Sequence, residues 1–171
     1  MQLILVRHAE AVGEHGSDEE TDFARALTEH GKQQSANLCE ALRLHGVKPG
    51  VIACSPLVRA KQTADALHGL LPAGRDLLVT SSLKYDALRP RKLSKEIVEM
   101  NDDCIILVGH MPDMGIYAAW LLGAGEHIVH FKKCAAASFT TADDEIKEGS
   151  GELNWLVTPG WCAQLAAATS R

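Results

Sequence analysis

The sequence predicts an α/β protein with a mostly parallel central sheet, and three observations carry that prediction. Short, continuously apolar runs recur at residues 3–6, 51–54, 77–80 and 105–108. Segments with helix-start signals or helical apolar spacing lie between them. The last two strand-like runs, at 136–141 and 153–158, are separated only by a polar loop rich in Asp, Glu and Gly. Strand–helix alternation implies parallel strands with helices on both faces, a three-layer α/β/α arrangement. The terminal pair implies two antiparallel strands at one side of the sheet.

The elements follow in order. Residues 3–6 read Leu-Ile-Leu-Val, the pattern of a central strand covered on both faces. Thr28 caps a helix that runs to about Leu44 and stops near Gly46. Leu38, Cys39 and Leu42 stand at helical spacing within it. Ser55-Pro56 reads as a helix start, with serine as cap and proline in the first helical position, and that helix runs to about Leu71, before Pro72. A third helix covers about Lys92 to Met100. Pro112 opens a fourth that ends near Gly123 and is apolar nearly all round, so it is expected to be buried. The hairpin is followed by a brief tail. With no repeat, linker or low-complexity tract, residues 1–171 are expected to form one domain.

Composition narrows the function classes. Hydrophobic content is 46% and charged content 23%, ordinary for a globular chain. The formal net charge of −5 supplies no basic surface for duplex nucleic acid, so no nucleic-acid partner is expected. The five cysteines (Cys39, Cys54, Cys104, Cys134 and Cys162) contain no Cys-x-x-Cys pair. They fit a reduced, cytoplasmic compartment better than a disulfide framework. The N-terminus lacks the pattern of a signal peptide. The longest apolar stretch, residues 116–122, is far too short to cross a bilayer, so no membrane association is expected.

In open α/β sheets ligands bind at the carboxyl ends of the strands. Arg7-His8 follows the first predicted strand, Ser55 to Arg59 the second, and Gly109-His110 the fourth. A histidine after one strand, or an arginine at one helix start, is usually structural; the joint pattern at three strand ends points to chemistry. Guanidinium forks match phosphate oxygens, and the N–H groups of a helix start favour an anion. Two histidines fit two roles. One is a nucleophile with a ring nitrogen free; the other is a donor that joins the arginines in covering the charge of a phosphoryl group. Two guanidiniums and an imidazolium can do this without a metal, so no metal or cofactor is expected.

Four segments carry a resemblance. Arg7-His8-Ala9-Glu10 resembles the Arg-His-Gly signature of the histidine phosphatase superfamily, which has the phosphoglycerate mutase-like fold. Arg25-Ala26-Leu27-Thr28-x-x-Gly31 resembles its Leu-Thr-x-x-Gly segment. Ser55-Pro56-Leu57-x-Arg59-Ala60-x-Gln62-Thr63 is similar to its Ser-Pro-x-x-Arg-Ala-x-Gln-Thr segment, and Val108-Gly109-His110 to its second histidine motif. The short chain, Arg25 ahead of Leu27-Thr28, and the terminal hairpin resemble the SixA-type phosphohistidine phosphatases. The resemblance implies that His8 is phosphorylated during turnover. It further implies that Arg7, Arg59 and His110 hold the phosphoryl group, with Arg25 and Ser55 as additional substrate contacts. The implied partner is a phosphorylated phosphorelay or phosphotransfer protein.

The sequence departs from the family pattern twice. Ala9 stands where the signature has glycine. Residues 83–88, Leu-Lys-Tyr-Asp-Ala-Leu, lack the glutamate that many members use as general acid. Asp86 is the only carboxylate there, and is either the general acid or a turn residue. An imidazole leaving group has a pKa near ~6.5 and needs little protonation, whereas an alkoxide needs a proton from the enzyme. A weak acid and little chain for a lid therefore favour phosphohistidine on a protein. A small-molecule phosphomonoesterase and a non-catalytic phosphate-binding module are the alternatives. Lys84, Arg89, Arg91, Lys92 and Lys95 form a basic cluster, read as a solvated face or as a surface for an acidic donor protein. Glu14, Asp18, Glu19, Glu20 and Asp22 read as a mobile acidic rim of the pocket without a metal role. Trp120 is expected in the core, with Trp155 and Trp161 over one end of the sheet.

Overall fold

A computed structural model describes residues 1–13, 19–125 and 129–169. Glu14, His15, Asp18 and His127 lie outside the described residues. Six strands form one sheet: β1 (Gln2–Arg7), β2 (Val51–Cys54), β3 (Leu78–Val79), β4 (Cys104–Gly109), β5 (Ala136–Thr140) and β6 (Glu152–Val157). Their order across the sheet is β3-β2-β4-β1-β5-β6. The first four strands are mutually parallel; β5 runs antiparallel to β1, and β6 antiparallel to β5. The expected three-layer α/β/α fold with an antiparallel pair at one side is the fold observed.

The alternation of side chains along a strand sorts the core into two halves. Ile4 and Val6 of β1, Ile52 and Cys54 of β2, and Ile106 and Val108 of β4 join one cluster. It is covered by α2 (Glu29–Leu44), α3 (Val58–Leu67) and α6 (Pro159–Thr169). Leu3, Leu5, Ile105 and Leu107 join the other, under α4 (Pro90–Glu99) and α5 (Asp113–Leu121). Because every side chain in β1 positions 3–6 is fully buried, the run cannot afford a polar residue on either face. Cys54, Cys104, Cys134 and Cys162 fill the first cluster as small apolar groups, and all five thiols are free.

The helices correct the sequence reading in three places. The helix after β2 begins at Val58 with Leu57 at its cap, so Ser55 and Pro56 lie before it, and it ends at Leu67 in a short 3-10 turn over His68–Leu70. Ser55 Oγ accepts the Leu57 N–H at 3.3 Å, two residues on, so it closes a turn ahead of the helix and Leu57 takes the cap position. The acidic rim contains a short helix, α1 (Glu19–Ala24). The tail after the hairpin is the eleven-residue helix α6, packed on α2. Trp155 is partly buried against the first cluster, but Trp161 is 63% exposed. Trp120 is partly buried and stacks on Tyr117. Among the described residues no helix is long and apolar enough to cross a membrane.

The start of α2 binds the chain that follows β1. Thr28 Oγ1 accepts the Gly31 N–H at 3.0 Å and donates to Glu10 Oε1 at 2.9 Å, while the Thr28 N–H donates to the Glu10 carbonyl at 3.0 Å. A Cβ on Gly31 would lie 1.9 Å from that carbonyl oxygen. Gly31→Ala must therefore push α2 away from Glu10. It is expected to cost at least about 1–3 kcal/mol of stability, read as a lowered Tm in thermal unfolding; an unchanged Tm would contradict this packing.

Candidate active site

The site is assembled where β1, β2 and β4 end. Parallel register pairs Arg7 with Gly109, the last residues of β1 and β4. The ladder then continues past the strands: the His8 N–H donates to the Gly109 carbonyl at 3.0 Å, and the Ser55 N–H to the Val108 carbonyl at 3.0 Å. Three loops are thus held at adjacent heights. His8 and His110 come to lie with ring centroids 5.0 Å apart and planes inclined by 55°.

Each imidazole is fixed through one nitrogen. His8 Nδ1 lies 2.7 Å from the Ala9 carbonyl oxygen. A carbonyl can only accept, so Nδ1 carries the proton and Nε2 keeps its lone pair. His110 Nε2 lies 2.8 Å from Ser55 Oγ. That hydroxyl also receives the Leu57 N–H at 3.3 Å, and His110 Nε2 is the acceptor that the described residues offer its own proton. His110 then carries its own proton on Nδ1, a buried atom with no hydrogen-bond partner among the described residues. Ser55 therefore orients His110.

Three guanidiniums surround the pair. Arg7 Nη1 donates to the Phe131 carbonyl at 2.7 Å, while its Nε is buried and has no partner among the described residues. Arg59, second residue of α3 and 4% exposed, donates from Nη1 to the Asp22 carbonyl at 2.7 Å and from Nη2 to Asp22 Oδ2 at 3.0 Å. Arg25 donates from Nη1 to Asp22 Oδ1 at 2.8 Å and from Nε to the Val12 carbonyl at 2.9 Å. The Arg7, His8, Arg59 and His110 expected from sequence are brought together, with Arg25 at one side. Asp22 was missed as an individual residue: the sequence reading placed it in a mobile rim, whereas it stands in α1 with its carboxylate between two arginines. An Asp three positions before Arg25 was the available signal.

Asp86 occupies a turn with a left-handed backbone (φ 59°) and is exposed. It lines a cavity of about 310 Å³ with Asp22, Phe23, Leu57, Lys84 and Tyr85. Asp113 is a buried carboxylate near the turn, whose Oδ2 has no hydrogen-bond partner among the described residues. Burial raises the Asp113 carboxyl above its usual range, against the lowering effect of the backbone N–H groups of residues 86–88. Ala9, in place of the signature glycine, buries its methyl in the first core cluster, and its N–H donates to Thr63 Oγ1 at 3.1 Å. Of the basic cluster, Lys92 pairs with Glu96 at 3.6 Å, and Arg91 and Lys95 line a groove with Glu145 and Glu148. Among the described residues no three His, Cys, Asp or Glu side chains gather as a metal site would.

Burial lowers His8 to about 4, helped by the charges of Arg59, Arg7 and Arg25 and opposed by its hydrogen bond to Ala9. Burial also lowers His110 to about 3, with His8, Arg59 and Arg7 acting in the same direction and Asp22 against them. His110 is thus a neutral donor in the free protein, where sequence reasoning expected an imidazolium: low dielectric and neighbouring cations both disfavour the charged ring.

The chain is similar to known phosphatases in sequence and in fold. The family model described as histidine phosphatase superfamily (branch 1) matches residues 3–84. No curated protein matches the chain in sequence. Among solved structures, a SixA protein histidine phosphatase complexed with tungstate is 25% identical; the match covers 94% of this chain and 98% of that one, with a TM-score of 0.79. A putative SixA phosphohistidine phosphatase from Agrobacterium tumefaciens shares the fold at 22% identity, 93% and 98% coverage and a TM-score of 0.72. So does a phosphoserine phosphatase mutant from Entamoeba histolytica, complexed with phosphoserine, at 16% identity, 92% and 97% coverage and a TM-score of 0.65.

The two depressed histidines set a pH dependence. An unfolded histidine takes its proton near ~6.5, whereas folded His8 and His110 resist it until about 4 and about 3. Between these limits the unfolded chain binds more protons, so their stabilising contribution is complete above pH ~6.5 and is lost as pH falls towards 4 for His8 and towards 3 for His110. An NMR titration of the ring Cε1–H signals is expected to show both histidines neutral at pH 5.5; a midpoint near 6.5 for either would contradict the burial argument.

Proposed function

We propose that this chain, whose residues 3–84 match the histidine phosphatase superfamily model, is a phosphohistidine phosphatase, removing the phosphoryl group from a histidine of another protein through a phospho-His8 intermediate. One observation carries the reading. A neutral His8 with Nε2 unprotonated shares its pocket with two buried donors, Arg7 Nε and His110 Nδ1, that no described group accepts from. A lone pair on one side and donors without acceptors on another suit a tetrahedral oxyanion. Tungstate, bound by the SixA relative, is such an anion.

In this reading the substrate's phosphohistidine ring carries a proton on its other nitrogen; His8 Nε2 attacks phosphorus as the N–P bond breaks, and the bonding pair stays on the substrate nitrogen, so the ring leaves as neutral imidazole with no further proton needed. Water then attacks phospho-His8; the Nε2–P bond breaks, its pair returns to Nε2, and inorganic phosphate leaves with the proton lost to solvent. The transition state is loose and depends on positioning and charge. Arg7, Arg59 and the Nδ1–H of His110 serve the three non-bridging oxygens, and Ser55 keeps the proton of His110 on Nδ1. No step requires an acid from Asp86, since imidazole is a far weaker base than an alkoxide. Between Leu83 and β4 the chain forms only a turn and α4, little material for a lid, which suits a phosphohistidine protruding from another protein. The reduced thiols suit a cytoplasmic phosphorelay or phosphotransfer partner.

His8→Ala is expected to lower phosphohistidine hydrolysis by roughly a thousandfold or more, while tungstate affinity, measured calorimetrically, stays within a few-fold. Retained hydrolysis would exclude His8 as the nucleophile. The parent protein should favour a phosphohistidine protein over an alkyl phosphate by about a hundredfold in kcat/KM, the scale of a missing general acid. Equal rates would instead identify a small-molecule phosphomonoesterase. Asp86→Asn should leave phosphohistidine turnover within about threefold, since a general acid would contribute a hundredfold or more.

A further inference from the structure

A guanidinium has two hydrogen-bonding edges. The end-on edge presents Nη1 and Nη2; the side-on edge presents Nε and the second hydrogen of Nη2. Asp22 occupies the end-on edge of Arg59 with two different groups, its backbone carbonyl on Nη1 and its carboxylate Oδ2 on Nη2. These are the acceptors of the Arg59 side chain among the described residues, and Arg59 Nε donates to none of them. The other carboxylate oxygen, Oδ1, is held by Arg25 Nη1, and Arg25 is itself tied to the Val12 carbonyl through Nε.

We propose that Asp22 is the positioning residue of the pocket: it grips the end-on edge of Arg59 so that the side-on edge meets the phosphoryl oxygens, and Arg25 acts on the reaction by bracing Asp22. The inference rests on the phosphoryl-binding role given to Arg59 above. An arginine side chain has several free torsions, and a clamp at its far edge removes the entropy that phosphoryl binding would otherwise have to overcome. Both acceptors come from one residue, so their spacing is set by the Asp22 backbone in α1 and by one short side chain. The carboxylate is ionised over the working range. Burial alone would raise its pKa, but the hydrogen bonds from Arg25 and Arg59 outweigh that and hold it below the usual carboxylate range.

A rival role exists for an anion on a phosphate-binding arginine: an internal competitor that substrate must displace. The backbone carbonyl on Nη1 argues against it, because that contact cannot leave without moving α1. The two roles predict opposite signs. With the full chain, Asp22→Asn keeps the shape of the side chain but replaces one oxygen by an NH2 group that cannot accept from a guanidinium. If Asp22 positions Arg59, this variant binds tungstate about tenfold more weakly and loses roughly ten- to a hundredfold in kcat on phosphohistidine, the scale of a misplaced catalytic group. Arg25→Ala is expected to weaken tungstate binding about threefold in the parent and less than twofold in the Asp22→Asn background, since both changes break one path. Tungstate binding by Asp22→Asn as tight as the parent's, or tighter, would overturn the proposal. So would an equal effect of Arg25→Ala in both backgrounds. Tungstate affinity reports on Arg59 whatever the natural substrate is, so failure of the phosphohistidine assignment would appear in the turnover comparison and not here.

Discussion

The pocket depends on the parallel pairing of β1 with β4 in the register that sets Arg7 beside Gly109. His8 and His110 are 102 residues apart in sequence, yet each follows the last paired residue of its strand by one position. The ladder continues one step past the strands, with the His8 N–H on the Gly109 carbonyl, so the two imidazoles face each other across one inter-strand spacing. A one-residue slip would turn each apolar side chain of β1 to the opposite layer. It would also separate the histidines. The same burial of Leu3, Ile4, Leu5 and Val6 that stabilises the sheet therefore fixes the distance between nucleophile and donor.

Around this centre, several motif residues act on backbone rather than on any ligand. Thr63 accepts the Ala9 N–H at 3.1 Å and donates to the Arg59 carbonyl at 2.8 Å, joining the chain after His8 to the helix that carries Arg59. Gln62 Oε1 accepts the Leu27 N–H at 2.7 Å, and Gln34 Oε1 the Glu10 N–H at 3.0 Å. Thr28 and Gly31 clamp Glu10 against the start of α2. These groups satisfy loop backbone that would otherwise be buried without partners, and they hold it in one conformation. The spacing Arg-x-x-Gln-Thr follows from this: on α3, Thr63 lies one turn beyond Arg59 and on the same face.

The strands and the four central side chains were legible because their signals are local. The runs at 3–6 and 105–108 are buried throughout, although the edge strand β3 from the run at 77–80 leaves Leu78 and Val79 exposed; a reactive residue directly after a strand is at its carboxyl end whatever the topology. The helix after β2 misled because Ser-Pro usually opens a helix, but here Ser55 Oγ takes the Leu57 N–H in a turn that precedes the helix, and also meets His110, a partner 55 positions away. α6 was hidden by a window that is apolar and alanine-rich without a polar face, so periodicity had nothing to grip. Asp22 was illegible for a related reason. Five carboxylates in nine residues look alike in sequence, and only the fold shows which one meets two arginines.

A phosphoryl pocket with a histidine nucleophile has to satisfy two electrostatic demands. It must be positive enough to hold a dianion, yet its nucleophile must be unprotonated, and a protonated imidazole has no lone pair to offer. A carboxylate beside His8 would favour the imidazolium; cations disfavour it. Here Arg7, Arg25 and Arg59 all act on His8 in the direction that burial does, so the groups suited to attract the phosphoryl group also keep the nucleophile free of its proton. The carboxylate that the described residues place in contact with these cations, Asp22, faces the far edge of Arg59 and opposes the lowering at His110 but not at His8. Its negative charge is thus placed where it can hold an arginine without protonating the attacking ring. Moving it across the pocket to the Nε2 side of His8 would keep the formal charge of the site and remove its chemistry.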